Sequence, residues 1–275
     1  MSEGKIIRVF PRRTKATPDD DLAFTGNPSL FRPEPSTVDE VHVSVVFTWD
    51  IPEGERLAKS WARDYPVVKI GGPAMGSPAE KFVPGRYLRH GHVITSRGCP
   101  NRCNECLVPE REGRLRTLPI TDGYRIHDNN LLACPPDHIE AVLDMLRRQP
   151  EHPVFCGGLE ARLFDEQIAR KLLALRSILY FAFDRPAEAY PVNRAILLIR
   201  RLTGWALGTI RSRVTVYVLC GHEGDTIEHA ERRMEWVRSI GPRVYAMFYR
   251  GRDWTVTDRE PRDWHNLCTR YNRLK

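Results

Sequence analysis

The sequence predicts an α/β fold built on parallel strands, because short apolar runs alternate with helical patterns from residue 92 onward. Connections between neighbouring parallel strands are right-handed, so six successive strand–helix units give a partial (β/α)6 barrel of the TIM type. A barrel of this kind places its chemistry in the loops that follow the carboxyl ends of its strands. The candidate functional residues are therefore expected at those strand ends.

Each element of the barrel follows from its own pattern of apolar residues. Six short apolar runs predict strands, at residues 92–95, 124–127, 154–156, 178–183, 214–219 and 244–248. Apolar residues at helical spacing predict helices between them, at residues 137–148, 165–175, 187–203 and 225–239. These elements place the barrel at residues 91–250 and leave residues 251–275 as a C-terminal tail.

Two segments precede the barrel. Residues 1–38 are polar and rich in proline, and they include three consecutive aspartates at 19–21, which together predict an extended arm. Residues 39–90 are expected to form a small β-α-β extension of the barrel. Its elements are a strand at 41–47, a helix at 53–63 and a second strand at 67–70.

Composition narrows the class of protein. The 275 residues are enough for one large domain, or for one domain with an extension. The chain has no apolar run of 18 residues, and its N-terminus, Met-Ser-Glu-Gly-Lys, lacks an apolar signal region. We therefore expect a cytoplasmic protein without a membrane span. The seven cysteines, an odd number, do not suggest a disulfide framework.

The charge balance is basic, with a net charge of +7 and an isoelectric point of about 9.1. Arginine supplies 35 of the 42 basic residues. Guanidinium groups bind phosphates through two donors and stack on bases, which favours a nucleic-acid partner. A GC-rich genome, which encodes arginine readily, explains the same excess equally well.

Three cysteines in one short loop, Cys99, Cys103 and Cys106, are the most informative residues of the chain. Their spacing supplies three thiolates, whereas a tetrahedral zinc site or an electron-transfer cluster normally takes four protein ligands. Three cysteines therefore suggest an iron–sulfur cluster that keeps one iron open for another ligand. The loop follows the apolar run at 92–95, so it lies at the carboxyl end of a predicted strand. The alternative is a degenerate zinc knuckle or a group of structural thiols.

This loop, with its lead-in Ser-Arg-Gly-Cys-Pro at residues 96–100, resembles the signature of the radical S-adenosylmethionine (radical SAM) enzymes. The resemblance implies a [4Fe-4S] cluster on the three cysteines, with SAM bound to the open iron. It implies reductive cleavage of SAM to a 5'-deoxyadenosyl radical, which abstracts hydrogen from substrate, and an external electron donor of the flavodoxin or ferredoxin type. Glu105 departs from the family pattern, in which the residue before the last cysteine is usually aromatic.

The resemblance covers about residues 91–250 and is similar in style to small, phage-type members of the superfamily. The β-α-β extension resembles a truncated remnant of the cobalamin-binding domain that precedes some radical SAM barrels. The histidine motif that ligates cobalamin is absent from this segment, so cobalamin is not among the expected cofactors.

Polar residues and glycines follow the predicted strands, as the resemblance requires for binding SAM. Asp128 and Asn129 follow the second strand, and an Asx turn is the alternative explanation for them. Gly157, Gly158, Glu160 and Arg162 follow the third strand, where the glycines permit close backbone approach to a ligand. Either Asp128 or Glu160 is the expected partner of the SAM ammonium, while Arg162 suits the SAM carboxylate or a substrate phosphate.

Two further strand ends complete the expected SAM site. Asp184 ends the fourth strand and suits a ribose hydroxyl. Gly221 and Glu223 follow the fifth strand in a turn that resembles the family's glycine-rich turn beside the adenine. Each signal is weak by itself, and their recurrence at successive strand ends is the stronger indication.

The sequence therefore predicts a radical SAM enzyme whose substrate is a nucleic-acid base or modified base. A DNA hypermodification step, such as a radical rearrangement or isomerisation, is the specific hypothesis. A peptide-modifying or small-metabolite radical SAM enzyme is the alternative within the class. A zinc-bearing nucleic-acid-binding module is the non-enzymatic alternative.

Overall fold

Parallel strands form the framework of the molecule in a computed structural model that describes residues 4–76, 81–251, 253–255 and 258–273. Two separate hydrophobic cores are present, one formed by buried residues within 7–74 and one within 82–271. The expectation of an α/β fold with parallel strands is confirmed. In the described ranges no helix is long and apolar enough to cross a membrane.

The N-terminal unit is a four-stranded parallel sheet with one connecting helix. Its strands are β1 (Ile6–Phe10), β2 (Ala23–Thr25), β3 (Glu40–Ser44) and β4 (Val68–Gly71), in the order β2-β1-β3-β4. Helix α1 (Ile51–Trp61) connects β3 to β4 and buries Leu57 and Trp61 completely. The elements β3, α1 and β4 lie where the sequence predicts the β-α-β extension.

The segment expected to be an extended arm contributes two strands to this sheet instead. β1 lies inside the sheet, paired with β2 on one side and with β3 on the other, and Ile7 and Val9 are fully buried. The apolar alternation of β1 is only five residues long, so nearby prolines and charges dominate the composition of the segment. Pairing with β3 buries the apolar side chains, which the local sequence cannot reveal. Residues 1–3 of the expected arm lie outside the described residues.

The C-terminal unit contains the six strands that the sequence predicts, together with a small hairpin. The strands are β5 (His92–Val93), β6 (Ser96–Arg97), β7 (Arg116–Thr117), β8 (Arg125–Ile126), β9 (Val154–Phe155), β10 (Leu179–Ala182), β11 (Val214–Cys220) and β12 (Arg243–Phe248). β5, β8 and β9 are parallel neighbours, as are β10, β11 and β12. Parallel bridges join Val154 to Ile178 and Leu159 to Phe181, so the chain passes from one set to the other in order.

Helices connect these strands. They are α2 (Val108–Arg111), α3 (Pro136–Arg147), α4 (Glu166–Ala174), α5 (Ala189–Thr203), α6 (Leu207–Arg213), α7 (Ile227–Ile240) and α8 (Arg262–Arg273). Single turns of 3-10 helix occur at Pro35–Thr37, Thr48–Asp50, Pro73–Met75, Leu131–Ala133, Ala161–Leu163 and Pro186–Glu188. α3, α4, α5 and α7 lie at the predicted positions. α2, α6 and α8 were not predicted, and α8 gives the expected tail a buried apolar face of Leu267, Cys268 and Tyr271.

The hairpin of β6 and β7 is the one antiparallel pair among the strands described here, and it carries the cysteine loop. It interrupts the chain between β5 and β8, directly after the first strand of the C-terminal unit. The loops that follow β5, β8, β9, β10 and β12 all contribute to one cavity. The parallel order of the strands is therefore what gathers residues from distant parts of the sequence.

Candidate functional site

A cavity of about 990 Å³ opens at the carboxyl ends of the C-terminal strands. Its volume is at the upper end of the range for pockets that hold cofactors and small molecules. The cavity-lining residues expected from the sequence are Cys99, Cys103, Cys106, Asn129, Gly157, Gly158, Glu160, Arg162 and Asp184. The structure thus brings together residues from four strand ends that are as much as 85 positions apart in the sequence.

The cysteine loop has a backbone that only glycine permits at its start. Gly98 adopts a φ of +78°, in the left-handed region. A Cβ atom at this position would lie 2.3 Å from the carbonyl oxygen of Arg114. The turn therefore lets the chain enter the loop directly before Cys99. Within the loop, the backbone N–H of Cys106 donates to the carbonyl oxygen of Cys103 at 3.1 Å.

Glu112 anchors the cysteine loop and was not recognised from the sequence. Its side chain is only 9% exposed and forms an ion pair with Arg97 at 3.1 Å. It also accepts a hydrogen bond of 2.6 Å from the side-chain amide of Asn129. These contacts tie the hairpin to the end of β8. A lone glutamate between two candidate motifs carries no periodic signal, so only the fold could identify it.

The three thiols of the loop line the cavity and are free. Burial is the main cause that raises the pKa of Cys103 and Cys106, and the negative charge of neighbouring cysteines adds to it. Deprotonation of either thiol is therefore unfavourable unless a positively charged partner, such as a metal centre, lies beside it. Over the described residues, no group of three or more His, Cys, Asp or Glu side chains is placed to hold a metal ion.

Asn130 connects the cysteine loop to the acidic part of the cavity. Its side-chain amide donates to the Sγ of Cys99 at 3.5 Å and to the Oε2 of Glu160 at 2.7 Å. The residue is 4% exposed, and its Oδ1 atom has no hydrogen-bond partner among the described residues. A buried amide oxygen without a partner is costly, so it marks a position where a ligand or water would add a donor.

Glu160 is the carboxylate of the third strand end that faces the cavity. Its Oε2 accepts hydrogen bonds from Asn101 at 2.6 Å and from Asn130 at 2.7 Å. Its Oε1 accepts from the Nε of Arg162 at 2.6 Å. The glutamate is therefore held in one orientation between amides and a guanidinium, while Arg162 keeps 60% of its own side chain exposed.

Asp128 lies beneath the cavity and does not line it. Its side chain is buried and accepts hydrogen bonds from the Thr95 backbone at 2.6 Å, the Thr95 hydroxyl at 2.5 Å and the Ser96 hydroxyl at 2.8 Å. Burial raises the pKa of Asp128, while these hydrogen bonds oppose the rise. The sequence suggested that Asp128 contacts a ligand. In the structure its carboxylate oxygens instead accept hydrogen bonds from Thr95 and Ser96, in the segment that leads into the cysteine loop.

The two glycines of the third strand end have different roles. A Cβ atom on Gly157 would lie 1.9 Å from the backbone carbonyl oxygen of Asp128. Gly158 has a φ of +85°, and the nearest atom to its Cβ position is in Tyr217 at 4.0 Å. Gly157 thus allows two strand ends to approach each other, whereas Gly158 supplies a left-handed turn. The sequence suggested that a ligand approaches the backbone of these glycines closely. At Gly157 it is the backbone of the neighbouring strand end that does so.

Asp184 lines the cavity at the end of β10. Its Oδ1 accepts a hydrogen bond from the backbone N–H of Leu219 at 2.7 Å. Burial is the main cause that raises the pKa of Asp184 to about 6. A carboxyl group of this kind accepts hydrogen bonds when it is ionised and donates one when it is protonated.

Glu105, the residue that departs from the family pattern, forms an ion pair with Arg185. Arg185 follows Asp184 directly, so the pair ties the cysteine loop to the end of β10. Although burial opposes ionisation, hydrogen bonding and charge from Arg185 hold the pKa of Glu105 below its usual range. An ion pair therefore occupies the position at which the family pattern has an aromatic ring.

Gly221 and Glu223 are not among the residues that line the cavity. Gly221 has a φ of +77°, and its Cβ position lies 2.4 Å from the ring of Phe248. The turn is stabilised by Asp225, which forms two hydrogen bonds of 2.9 Å with Arg233 and accepts the Gly221 backbone N–H at 3.0 Å. Helix α7 begins with Thr226 as its N-cap. The turn that was expected to contact the adenine of SAM is therefore held by its own hydrogen bonds, and Gly221 and Glu223 lie outside the cavity lining.

His92, which is buried, and His127, which is partly buried, form a pair, and His127 directly precedes Asp128. The Nδ1 atom of His92 lies 2.8 Å from the Nε2 atom of His127, and the two rings are stacked. Burial is the main cause that lowers the pKa of each histidine to about 4. Both rings are therefore neutral near neutral pH, and one donates its N–H to the other.

The C-terminal helix also contributes to the cavity, which the sequence did not indicate. The lining includes His265, Cys268 and Asn272 of α8. Asn272 joins the helix to β12 by accepting the Ala246 backbone N–H at 2.8 Å and donating to the Ala246 carbonyl at 3.0 Å. The Sγ atom of Cys268 lies 3.3 Å from the buried Sγ of Cys220.

A rim of arginines and aromatic rings lines the same cavity from the N-terminal unit and from the segment after β12. We use the word rim for Arg12, Phe47, Trp49 and Arg250. The rings of Phe47 and Trp49 are stacked with centroids 4.8 Å apart and planes 10° apart. The guanidinium of Arg12 lies 5.9 Å from the Phe47 ring, and that of Arg250 lies 4.7 Å from the Trp49 ring. Each ring of the stack therefore has its own cation.

Comparison with known proteins does not assign the chain to a family. A scan against protein-family models finds no matching model, and a search of curated proteins finds no match. The function is therefore inferred from the chemistry of the cavity and of the residues that line it.

Proposed function

We propose that this protein is a radical SAM enzyme with a partial (β/α)6 barrel. Cys99, Cys103 and Cys106 hold a [4Fe-4S] cluster, and SAM completes its coordination. The observation that carries the proposal is the convergence of three thiols and an oriented carboxylate, Glu160, on one cavity at the ends of parallel strands. Three thiolates without a fourth match a cluster that keeps one iron open.

The donor chemistry around the thiols, rather than their placement in this structure, suits such a cofactor pair. Three soft thiolates suit iron, and a hydrogen bond from Asn130 to the Cys99 sulfur is the kind of contact that tunes a cluster. When bound, the cluster and SAM supply a 5'-deoxyadenosyl radical that removes a hydrogen atom from substrate. An external flavodoxin or ferredoxin would supply the electron, as expected for an enzyme of the cytoplasm.

The protein's own residues bind and orient the ligand in this proposal. Glu160 is the preferred partner for the ammonium of SAM, because it lines the cavity and its orientation is fixed by two amides. Asp184 suits a ribose hydroxyl, since one of its oxygens is already fixed by Leu219. Asp128 supports the cysteine loop from beneath through Thr95 and Ser96.

The proposed substrate is a nucleic-acid base or a modified base, as in a DNA hypermodification step. The net charge of +7 and the predominance of arginine support a polyanionic partner. The cavity volume of about 990 Å³ leaves room for a base beside a nucleoside cofactor.

The test is anaerobic reconstitution of the full chain with iron and sulfide, followed by addition of dithionite and SAM. We expect the brown absorbance of an iron–sulfur cluster and formation of 5'-deoxyadenosine. Cys103→Ala should lose both signals. Cys156→Ala is the matched control, because Cys156 is also a partly buried thiol but does not line the cavity.

The opposite result would be a colourless protein that binds zinc and leaves SAM intact. That result would return the cysteine loop to a structural role and support a zinc-bearing nucleic-acid-binding module. Equal loss of cluster in Cys103→Ala and Cys156→Ala would also contradict the proposal, because the effect would then not be specific to the loop.

A further inference from the structure

The rim differs in chemistry from the wall that carries the cysteines. The cysteine wall presents the carboxyl groups of Glu105, Glu160 and Asp184 to the cavity, whereas the rim presents Arg12 and Arg250. Phosphate groups are repelled by the first surface and attracted by the second. The cysteine wall is therefore mainly acidic, with Arg162 paired to Glu160 as the one arginine among its described lining residues, whereas the rim supplies two arginines.

We propose that the rim binds the sugar–phosphate backbone of a single nucleic-acid strand whose target base enters the cavity. This inference deepens the proposed function, on which it rests for the reaction that follows binding. Binding of the strand itself depends only on the rim.

The two arginines are held by carboxylates in a way that prepares them for phosphate. Arg12 donates from Nε at 2.6 Å, and also from Nη2, to the buried Asp50. Arg250 donates from Nη2 to Glu260 at 2.9 Å. Arg12 is thus fixed along one edge of its guanidinium and Arg250 at one nitrogen, so ordering them costs little further entropy when a ligand binds. Within the described part of the chain, the Nη1 groups of both arginines make no hydrogen bond and so keep donors for a phosphate.

The rim also joins parts of the chain that are far apart in sequence. Arg12 follows β1, the aromatic pair follows β3, and Arg250 follows β12. Strand ends from both units therefore meet at one cavity. Alternation of cations with aromatic rings is typical of surfaces that bind single strands, where phosphates contact the cations and bases stack on rings or guanidinium planes.

A single strand fits the cavity better than a duplex does. The thiols lie within the cavity, and a base in a duplex would have to leave its stack to reach them. In a single strand the neutral base can enter beside the carboxylates while its phosphates stay at the rim. The N-terminal sheet would then serve as a substrate-binding unit, a role that its position beside the cavity supports.

The test measures binding of a short fluorescein-labelled single-stranded DNA to the full chain by fluorescence anisotropy, at salt concentrations between about 50 and 200 mM. For wild type we expect log K to fall linearly with log salt. Arg250→Gln should weaken binding several-fold and reduce the magnitude of the slope by about 0.7, the value for one phosphate on a single strand. Arg12→Gln should have the same effect.

Controls separate phosphate binding from folding. Arg170→Gln is the matched control, because Arg170 is an exposed, carboxylate-paired arginine that does not line the cavity. It should leave both the affinity and the slope unchanged. Arg12→Lys keeps a charge beside Asp50 and should retain the salt slope, which would show that a loss in Arg12→Gln reflects the missing charge.

Three results would overturn the inference: no binding at low salt, slopes that are unchanged in both rim variants, or equal affinity for blunt duplex and single strand. Wild-type protein that cleaves SAM but does not bind the strand would overturn only the inference that the rim binds a nucleic-acid strand. Wild-type protein that binds the strand through the rim but does not cleave SAM would instead overturn the proposed function.

Discussion

The residues that line the cavity and the residues that support them come from the same parallel strands but differ in their contacts. The facing layer consists of the three loop cysteines, Gly158, Glu160 and Asp184, all of which line the cavity. The supporting layer consists of His92, His127 and Asp128, together with Gly157, which also lines the cavity but packs closely against the backbone of Asp128. Support is made by buried hydrogen bonds and close backbone contacts, whereas the facing groups keep access to a ligand.

A polar residue at a strand end can therefore either bind other groups of the protein or face the cavity. Asp128 and Glu160 are both carboxylates at neighbouring strand ends, yet one binds the protein's own hydroxyls and the other lines the cavity. We therefore expect changes in the supporting layer to lower the free energy of unfolding most. Changes in the facing layer should act mainly on ligand binding.

The largest effect is expected from the two neighbouring glycines. Gly157→Ala would place a Cβ atom 1.9 Å from a backbone oxygen, which a side-chain movement cannot relieve. We expect it to lower the free energy of unfolding by about 4 kcal/mol. Gly158→Ala has space for its Cβ and should cost only the left-handed backbone, about 1 to 2 kcal/mol. Urea denaturation of both variants measures the difference, and equal losses would contradict the division into layers.

The two carboxylates provide the second comparison. Asp128→Ala would leave the Thr95 backbone and two buried hydroxyls without their acceptor, so we expect a loss of about 3 kcal/mol in stability. Glu160→Ala should cost less, about 1 kcal/mol, because Arg162 is largely exposed and the amide of Asn130 is the one buried donor among the described residues that loses this acceptor.

Binding of SAM should show the reverse order for these two positions. Glu160→Gln should weaken SAM binding to the reconstituted protein by about tenfold, since it removes the negative charge opposite the ammonium. Asp128→Asn, which keeps an acceptor for Thr95, should change SAM affinity less. Isothermal titration with SAM measures both, and a greater loss in Asp128→Asn would reassign the ammonium site.

The pair of His92 and His127 should make the stability of the supporting layer depend on pH. Because the pKa of each histidine is lowered to about 4, the unfolded chain binds protons more readily than the folded chain below about pH 7. The free energy of unfolding should therefore fall by about 2 kcal/mol per histidine between about pH 7 and about pH 5. Asp184, with a raised pKa, acts in the opposite direction over this interval.

The His92→Gln/His127→Gln double variant isolates this contribution, because Asp184 and the other acids are common to both proteins. Denaturation at the two pH values should show a clearly smaller loss of stability for the double variant than for wild type. The same loss in both proteins would mean that the pair is not the source of the pH dependence.

The sequence predicted the six parallel strands of the C-terminal unit well, because each is an apolar run that is largely buried in the core. It did not predict β1, whose burial depends on pairing with a strand some 30 residues later in the chain. It also identified Glu160 as a candidate but not Asn130 or Glu112, which orient the site. Orientation depends on which side chains meet across strands, and residue type alone does not contain that information.

The smallest expected effect concerns Glu105 and Arg185, an ion pair that links the cysteine loop to the end of β10. Arg185 is 37% exposed, so solvent screens the pair and the coupling should be only about 0.5 kcal/mol. A double-mutant cycle with Glu105→Gln and Arg185→Gln measures this coupling by urea denaturation. It should decrease further in high salt. A coupling above about 2 kcal/mol would mean that the link supports the cysteine loop as strongly as the buried contacts of Asp128 do, and the two layers would then not be energetically distinct.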